Sequence, residues 1–286
     1  MQPGTNPTNP KPLDDWNGAR GARWATHHEW LDRSFAAFGA AALNAACLHP
    51  GEHVLDVGCG AGATTLELVR HVQPHGRVLG VDISEALLQR ARERARAQPT
   101  TQATLDFELA DASRHAFAPG SFDVLFSRFG VMFFADPPRA FTHLHAALAR
   151  GGRATFVCWR SPAENPWFHL PLRALQGVLP PGPPADPLAP GPFAFADRHR
   201  IESILRQSGF SDIAITPFDA PLYVAADADE SFDQTLRIGP FATMLEGHPE
   251  DVRQRGRAAI RAALAEHADA HGVSLAGATW IVRARA

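Results

Sequence analysis

The run Val54-Leu55-Asp56-Val57-Gly58-Cys59-Gly60-Ala61-Gly62-Ala63-Thr64-Thr65 limits what this chain can fold into more than any other part of it. Its apolar first half suits a buried strand, and the residues from Thr64 to Val72 suit a helix. Gly58, Gly60 and Gly62 stand between them, where the backbone must turn sharply and let a ligand approach with no Cβ in the way. The helix behind them aims its unpaired N–H groups at whatever is bound. A strand, glycine turn and helix in this order call for an α/β sheet with a nucleoside-bearing ligand at the strand's carboxyl end. Read as Gly58-x-Gly60-x-x-Ala63, the loop also satisfies the dinucleotide fingerprint, so alone it does not decide which nucleoside cofactor is held.

Four further strand patterns follow, separated by helical ones. Arg77-Val78-Leu79-Gly80-Val81-Asp82 is short, apolar and ends in an acid, at roughly the ~20-residue offset where a carboxylate can hold a ribose diol. Leu105 to Ala112 alternates as a half-buried strand does and again ends in an acid, Asp111. Ser121 to Arg128 and Gly151 to Trp159 complete the set.

Taken in order, DVGCGAG, VDIS, ADA, FDVLFSRFGVMFFADP and a GGR turn before strand five resemble the class I S-adenosylmethionine-dependent methyltransferases. Within them the set is most similar to the branch holding the ubiquinone and menaquinone C-methyltransferases. The likeness is strong over residues 50–160 and looser at Gly209-Phe210 and the terminal Thr279–Arg283 strand. It implies an α/β fold: a Rossmann-like seven-stranded methyltransferase sheet, mostly parallel with the last strand antiparallel, bearing helical, proline-rich cap insertions. It also implies S-adenosyl-L-methionine as cofactor and a small-molecule acceptor.

The same resemblance assigns roles. Asp56, Gly58, Cys59, Gly60 and Gly62 are expected around the cofactor's amino-acid tail. Asp82 would accept hydrogen bonds from the ribose hydroxyls, with Ile83 on the adenine face. Asp111 would meet the adenine amino group, with Ala112 giving a backbone contact, and Ser127 and Arg128 would end strand four near the methyl. Plainer readings stand beside these: a helix cap for Asp82 or Asp111, and a structural ion pair for Arg128. Two other functions stay open, a nicotinamide-dependent oxidoreductase and a protein that binds the cofactor or its demethylated product without catalysis. Asp111-Ala112 and a lone strand after strand six disfavour the first.

Composition narrows the partners. With 286 residues, 45% of them hydrophobic, the chain can bury a full core, and one α/β domain with an appended cap accounts for it. A net charge of −3, with arginines interleaved with acids as in Arg90-Ala91-Arg92-Glu93-Arg94, argues against a nucleic-acid surface. Cys47, Cys59 and Cys158 form no C-x-x-C, and neither His27-His28 nor His143/His145 has metal-ligand spacing, so no metal site is expected. No apolar run is long enough to span a bilayer, which makes the cytoplasm the expected location. A homodimer is compatible with the sequence.

The expected organisation is a disordered tail over residues 1–15, a helical lid over 16–48, the cofactor-binding core over 49–160 and a proline-rich cap loop over 161–196. A core helix and strand over 197–218, a helical cap insertion over 219–274 and a final strand over 275–286 complete it. Trp16, Trp24, Trp30, Trp159, Trp167, Phe168, Phe193 and Phe195 lie outside the sheet core in this scheme and suit a flat or apolar acceptor. His27 and His28, in the lid, are the sequence's candidates for a general base.

Overall fold

The structure is a computed structural model and describes residues 16–180, 186–270 and 272–286. The expected tail over 1–15 and part of the proline-dense run, residues 181–185, lie outside the described residues. Helices α1 (Ala19–Thr26) and α2 (His28–Ala46) come first. The alternating core follows: β1 (His53–Val57), α3 (Ala63–Val72), β2 (Arg77–Asp82), α4 (Glu85–Arg96), β3 (Thr104–Leu109), β4 (Phe122–Arg128), α5 (Pro137–Ala147) and β5 (Leu148–Trp159). Then come α6 (Pro166–Gln176), α7 (Arg198–Gln207), β6 (Ser211–Ala225), α8 (Ala228–Ile238), α9 (Phe241–Leu245), α10 (Glu250–Ala265), a two-residue β7 (Ala268–Asp269) and β8 (Gly272–Arg285).

The strands form one sheet in the order β3-β2-β1-β4-β5-β8-β6, with β7 paired to β8. All neighbours from β3 to β5 are parallel, and β8 runs antiparallel to both of its neighbours. This is the expected seven-stranded sheet with its last strand reversed, plus the short β7. Because β1 pairs with β2 on one side and β4 on the other, the strand order reverses there and a crevice opens beyond its carboxyl end. Val54, Leu55 and Val57 of β1 and Val124, Leu125 and Phe126 of β4 are buried in the core beneath it.

Local chemistry explains where elements begin. Asp136 caps α5 by accepting from the Arg139 N–H, and prolines fill the first turn, where no backbone donor is needed. Asp197 caps α7 in the same way, through the His199 N–H. Helix α2 lies over β5, β6 and β8, and its fully buried Phe38 occupies the space a side chain at 277 would need. A Cβ added to Gly277 would stand 2.4 Å from that ring.

One expected boundary moves, and the lid over 16–48 shows its internal division. The lid is two helices, because the backbone leaves helical geometry at His27 (φ −102°, ψ 22°). Asp219–Ala225, expected to open the helical insertion, instead continues β6 and pairs with Val273–Ala278 of β8. Pro217 and Pro221 disguise this strand in the sequence. They are tolerated because β6 is the edge of the sheet, where a missing N–H interrupts only one ladder.

Candidate functional site

A cavity of about 810 Å³ sits over the carboxyl ends of β1, β2 and β4, roofed by the α1–α2 lid and walled on the far side by α8 and α9. Gly58, Cys59 and Gly60, the pair Asp82-Ile83, the pair Asp111-Ala112, and Arg128 all line it. Asp56, Gly62 and Ser127 do not.

The three glycines divide the labour of the loop. All have positive φ (69°, 56° and 80°), a conformation that disfavours any other residue. A Cβ on Gly58 would lie 2.7 Å from the Gly130 Cα, and one on Gly62 would lie 3.0 Å from the Ala91 Cβ, so both serve close packing. A Cβ on Gly60 would meet no protein atom within 4 Å, so it alone clears space for a ligand.

Asp82 braces this loop. One carboxylate oxygen accepts from the Gly60 N–H at 2.9 Å and the other from the Ser84 N–H at 2.9 Å. Burial pushes its carboxyl up, and the N–H groups of Ser84, Gly60 and Ile83 pull it back. The carboxylate keeps lone-pair capacity for a ligand hydroxyl. Asp111 is more fully occupied: Ser113 donates to one oxygen through both N–H (3.0 Å) and hydroxyl (2.6 Å), and Arg114 reaches the other at 3.0 Å. Ser127 straps β4 to β1 from behind, donating to the Val57 carbonyl at 2.7 Å and accepting from the Gly130 N–H at 3.2 Å.

Asp56 is wholly buried under the loop. Its Oδ2 accepts from the hydroxyls of Thr64 (3.2 Å) and Thr65 (2.7 Å), while Oδ1 has no partner among the described residues. Burial pushes its carboxyl up to about 6, against the pull of the Thr65 hydroxyl, the Arg128 charge and the Thr64 hydroxyl. Arg128 faces the cavity 4.0 Å from Asp32 and 5.7 Å over the Phe35 ring, and its guanidinium makes no hydrogen bond to a described residue. Cys59 lines the cavity as a thiol, its pKa driven well above the ordinary value by burial and the charges of Asp82 and Asp56.

The lid separates the two adjacent histidines. His28 lines the cavity, with Nδ1 3.1 Å from the Ala25 carbonyl. That carbonyl can only accept, so Nδ1 is the donor of this contact. His27 does not line the cavity; burial lowers its pKa first, and the positive charge of Arg237 on α8 lowers it further.

Sequence reasoning overlooked Asp32, Arg94, Phe129 and Gln234. Arg94 donates to the Ala61 carbonyl at 2.8 Å and to Asp32 at 2.6 Å, tying α2 to the glycine loop across 62 residues of chain. Phe129 stacks on Trp159 with centroids 4.3 Å apart. Trp16 meets Trp24 and Phe133 edge-on, at 5.0 and 5.4 Å. All the expected aromatics line the cavity except Phe195, which is fully buried in the core.

Comparison with known proteins places this geometry. The family described as "Methyltransferase domain" matches residues 54–152. The demethylmenaquinone methyltransferase of Symbiobacterium thermophilum is 37% identical over 109 residues, covering 38% of this chain and 42% of that protein. The nocamycin O-methyltransferase of Saccharothrix syringae is 31% identical over 211 residues, covering 73% of this chain and 66% of that protein. The chain thus spans less than two thirds of either relative's length. Among solved structures, phosphoethanolamine N-methyltransferase 2 of Haemonchus contortus, in complex with S-adenosyl-L-methionine, superposes with a TM-score of 0.58 at 18% identity, over 96% of this chain and 59% of that one.

Proposed function

Since this chain belongs to the class I S-adenosylmethionine-dependent methyltransferases, we propose that it methylates a small, flat, largely apolar acceptor, with His28 as the base that takes the acceptor's proton. When bound, S-adenosyl-L-methionine supplies a methyl group already activated by positive sulfur. The residues present fit it. Gly60 leaves open the space a Cβ would fill, Asp82 offers two carboxylate oxygens, and Arg128, whose pairing with Asp32 is a loose 4.0 Å, lines the cavity with its positive charge. The unpartnered Oδ1 of Asp56 adds negative charge behind the loop, which favours an ammonium nearby.

The observation that carries the reading is continuity. One cavity runs from Gly60 and Asp82 to an aromatic wall shared by lid and cap, and His28 stands on it. The lid and cap exclude water and place the acceptor in line, and the His28 Nε2 lone pair accepts the proton released from a hydroxyl or ring carbon. The test is to identify any ligand that co-purifies by mass spectrometry and then screen aromatic acceptors with methyl-labelled cofactor. Transfer of label to a planar acceptor supports the proposal. Binding of NADH with none of S-adenosylhomocysteine would sink it.

A further inference from the structure

The lid meets the core beside the cofactor end in two places, and one of these contacts is electrostatic. Helix α1 packs on α4, and a Cβ added to Gly21 would stand 2.4 Å from the Ser84 hydroxyl, next to Asp82-Ile83. Helix α2 meets α4 through Asp32, whose Oδ2 accepts from Arg94 Nη2 at 2.6 Å. The other arm of that guanidinium, Nη1, donates to the Ala61 carbonyl at 2.8 Å. Because Asp82 accepts from the Gly60 N–H, the Gly60-Ala61 segment is gripped from β2 at its N–H and from α4 at its carbonyl. Asp32 and Ala61 line the cavity, while Arg94 stands behind them and does not. Asp32 also faces Arg128 at 4.0 Å, which puts one carboxylate between two arginines that repel each other. The side chains of Asp32, Arg94 and Arg128 are 24%, 25% and 15% exposed, so salt screens these pairs less than it does open surface ones.

We infer that Arg94 is a positioning residue for the cofactor and that Asp32 makes its action depend on the lid. With the lid shut, Asp32 holds Arg94 where it fixes the Ala61 carbonyl; with the lid open, Arg94 loses that anchor. Lid closure and cofactor binding then favour each other. A link that orders the loop only when the lid is down also holds the lid down whenever a bound cofactor orders the loop. A plain structural ion pair would stabilise the fold without tying these two events together. The inference rests on the proposed function only in seating the cofactor at the glycine loop; neither the acceptor nor the base enters it.

The test compares the parent with Arg94→Gln, Asp32→Asn and the double variant. Calorimetry and the dissociation rate follow S-adenosylhomocysteine, and hydrogen exchange of the α1 and α2 amides follows the lid. In the parent, S-adenosylhomocysteine should slow exchange across the lid. Each single variant should bind it about fivefold to fiftyfold more weakly, mostly through faster dissociation. The double variant should stay within about threefold of the weaker single one, since either change breaks the same link. The slowing of lid exchange on binding should be lost in all three. Melting temperatures without ligand check that each folds. Should Arg94→Gln not fold, Arg94→Lys takes its place, because it keeps the charge without the planar fork that spans Ala61 and Asp32. Lid exchange indifferent to ligand in the parent overturns the inference. So do variants that lose melting temperature but keep the parental affinity and dissociation rate, and losses that simply add in the double variant. If S-adenosylhomocysteine does not bind the parent, the cofactor assignment fails and takes the inference with it; binding that is the same in parent and variants overturns the inference alone.

Discussion

The two ends of the cavity are built on opposite plans. At the cofactor end, nearly every polar group is braced by a neighbour close in sequence or on an adjoining strand: Asp82 by Gly60 and Ser84, Asp111 by Ser113 and Arg114, Ser127 by Val57 and Gly130. At the acceptor end the wall is largely aromatic, with Trp24, Trp167, Phe168 and Phe193 brought together from elements far apart in the chain. The first end is preorganised by its own backbone; the second is assembled by tertiary packing. A side chain changed at the cofactor end should therefore disturb binding or stability, and one changed at the acceptor end should disturb turnover.

The sharpest division is between the adjacent histidines. His28→Ala should lower turnover by about 10²–10⁴ with cofactor affinity nearly unchanged, whereas His27→Ala should leave turnover within about threefold. Equal losses in both would move the base elsewhere and blur the two ends together.

Asp56 tests the cofactor end through stability. Its carboxyl is held near 6 in the folded chain, above an unfolded value of about 3.9, so between these pH values the folded state keeps a proton that the unfolded state has released. Stability therefore falls as pH rises from about 4 to about 6 and is level above that, a loss of order 3 kcal/mol. Asp56→Asn should remove this dependence, leaving the variant more stable than the parent at pH 7.5 by up to about 3 kcal/mol and nearly equal to it at pH 4. Its cofactor affinity should drop. Urea unfolding at the two pH values checks the first part, and a variant no more stable at pH 7.5 would show that the carboxylate has found compensation.

The smallest expected effect is at Asp82. Asp82→Ala removes two charged acceptors from a ribose and from the loop, and should weaken S-adenosylhomocysteine by at least about tenfold, measured by calorimetry, with the fold retained. Unchanged affinity in a folded variant would reduce Asp82 to a loop brace.

How much of this could be read from the chain follows the same division. The glycine loop, the acids closing β2 and β3 and the parallel core were legible because each depends on a few residues in a row. The His27 break, the Arg94 link to Asp32 and the stacking of Phe129 on Trp159 were not, since their partners meet only after the chain folds. Arg94 in particular sits in a run of alternating charges that reads as a solvated helix face. The outer half of β6 was hidden by prolines whose tolerance depends on lying at a sheet edge, which no local pattern announces.

That outer half has a further consequence. With Ala225 opposite Val273, β6 and β8 form a long stem whose ends are already neighbours, and all of α8 to α10 hangs between them. Lengthening or exchanging a segment anchored in this way adds little closure entropy, only about 0.6 kcal/mol for each doubling of its length. The acceptor wall is in that sense a cartridge: it can be replaced wholesale on a fixed handle, while the glycine loop at the other end, pressed against Gly130 and Ala91, leaves almost no room for revision.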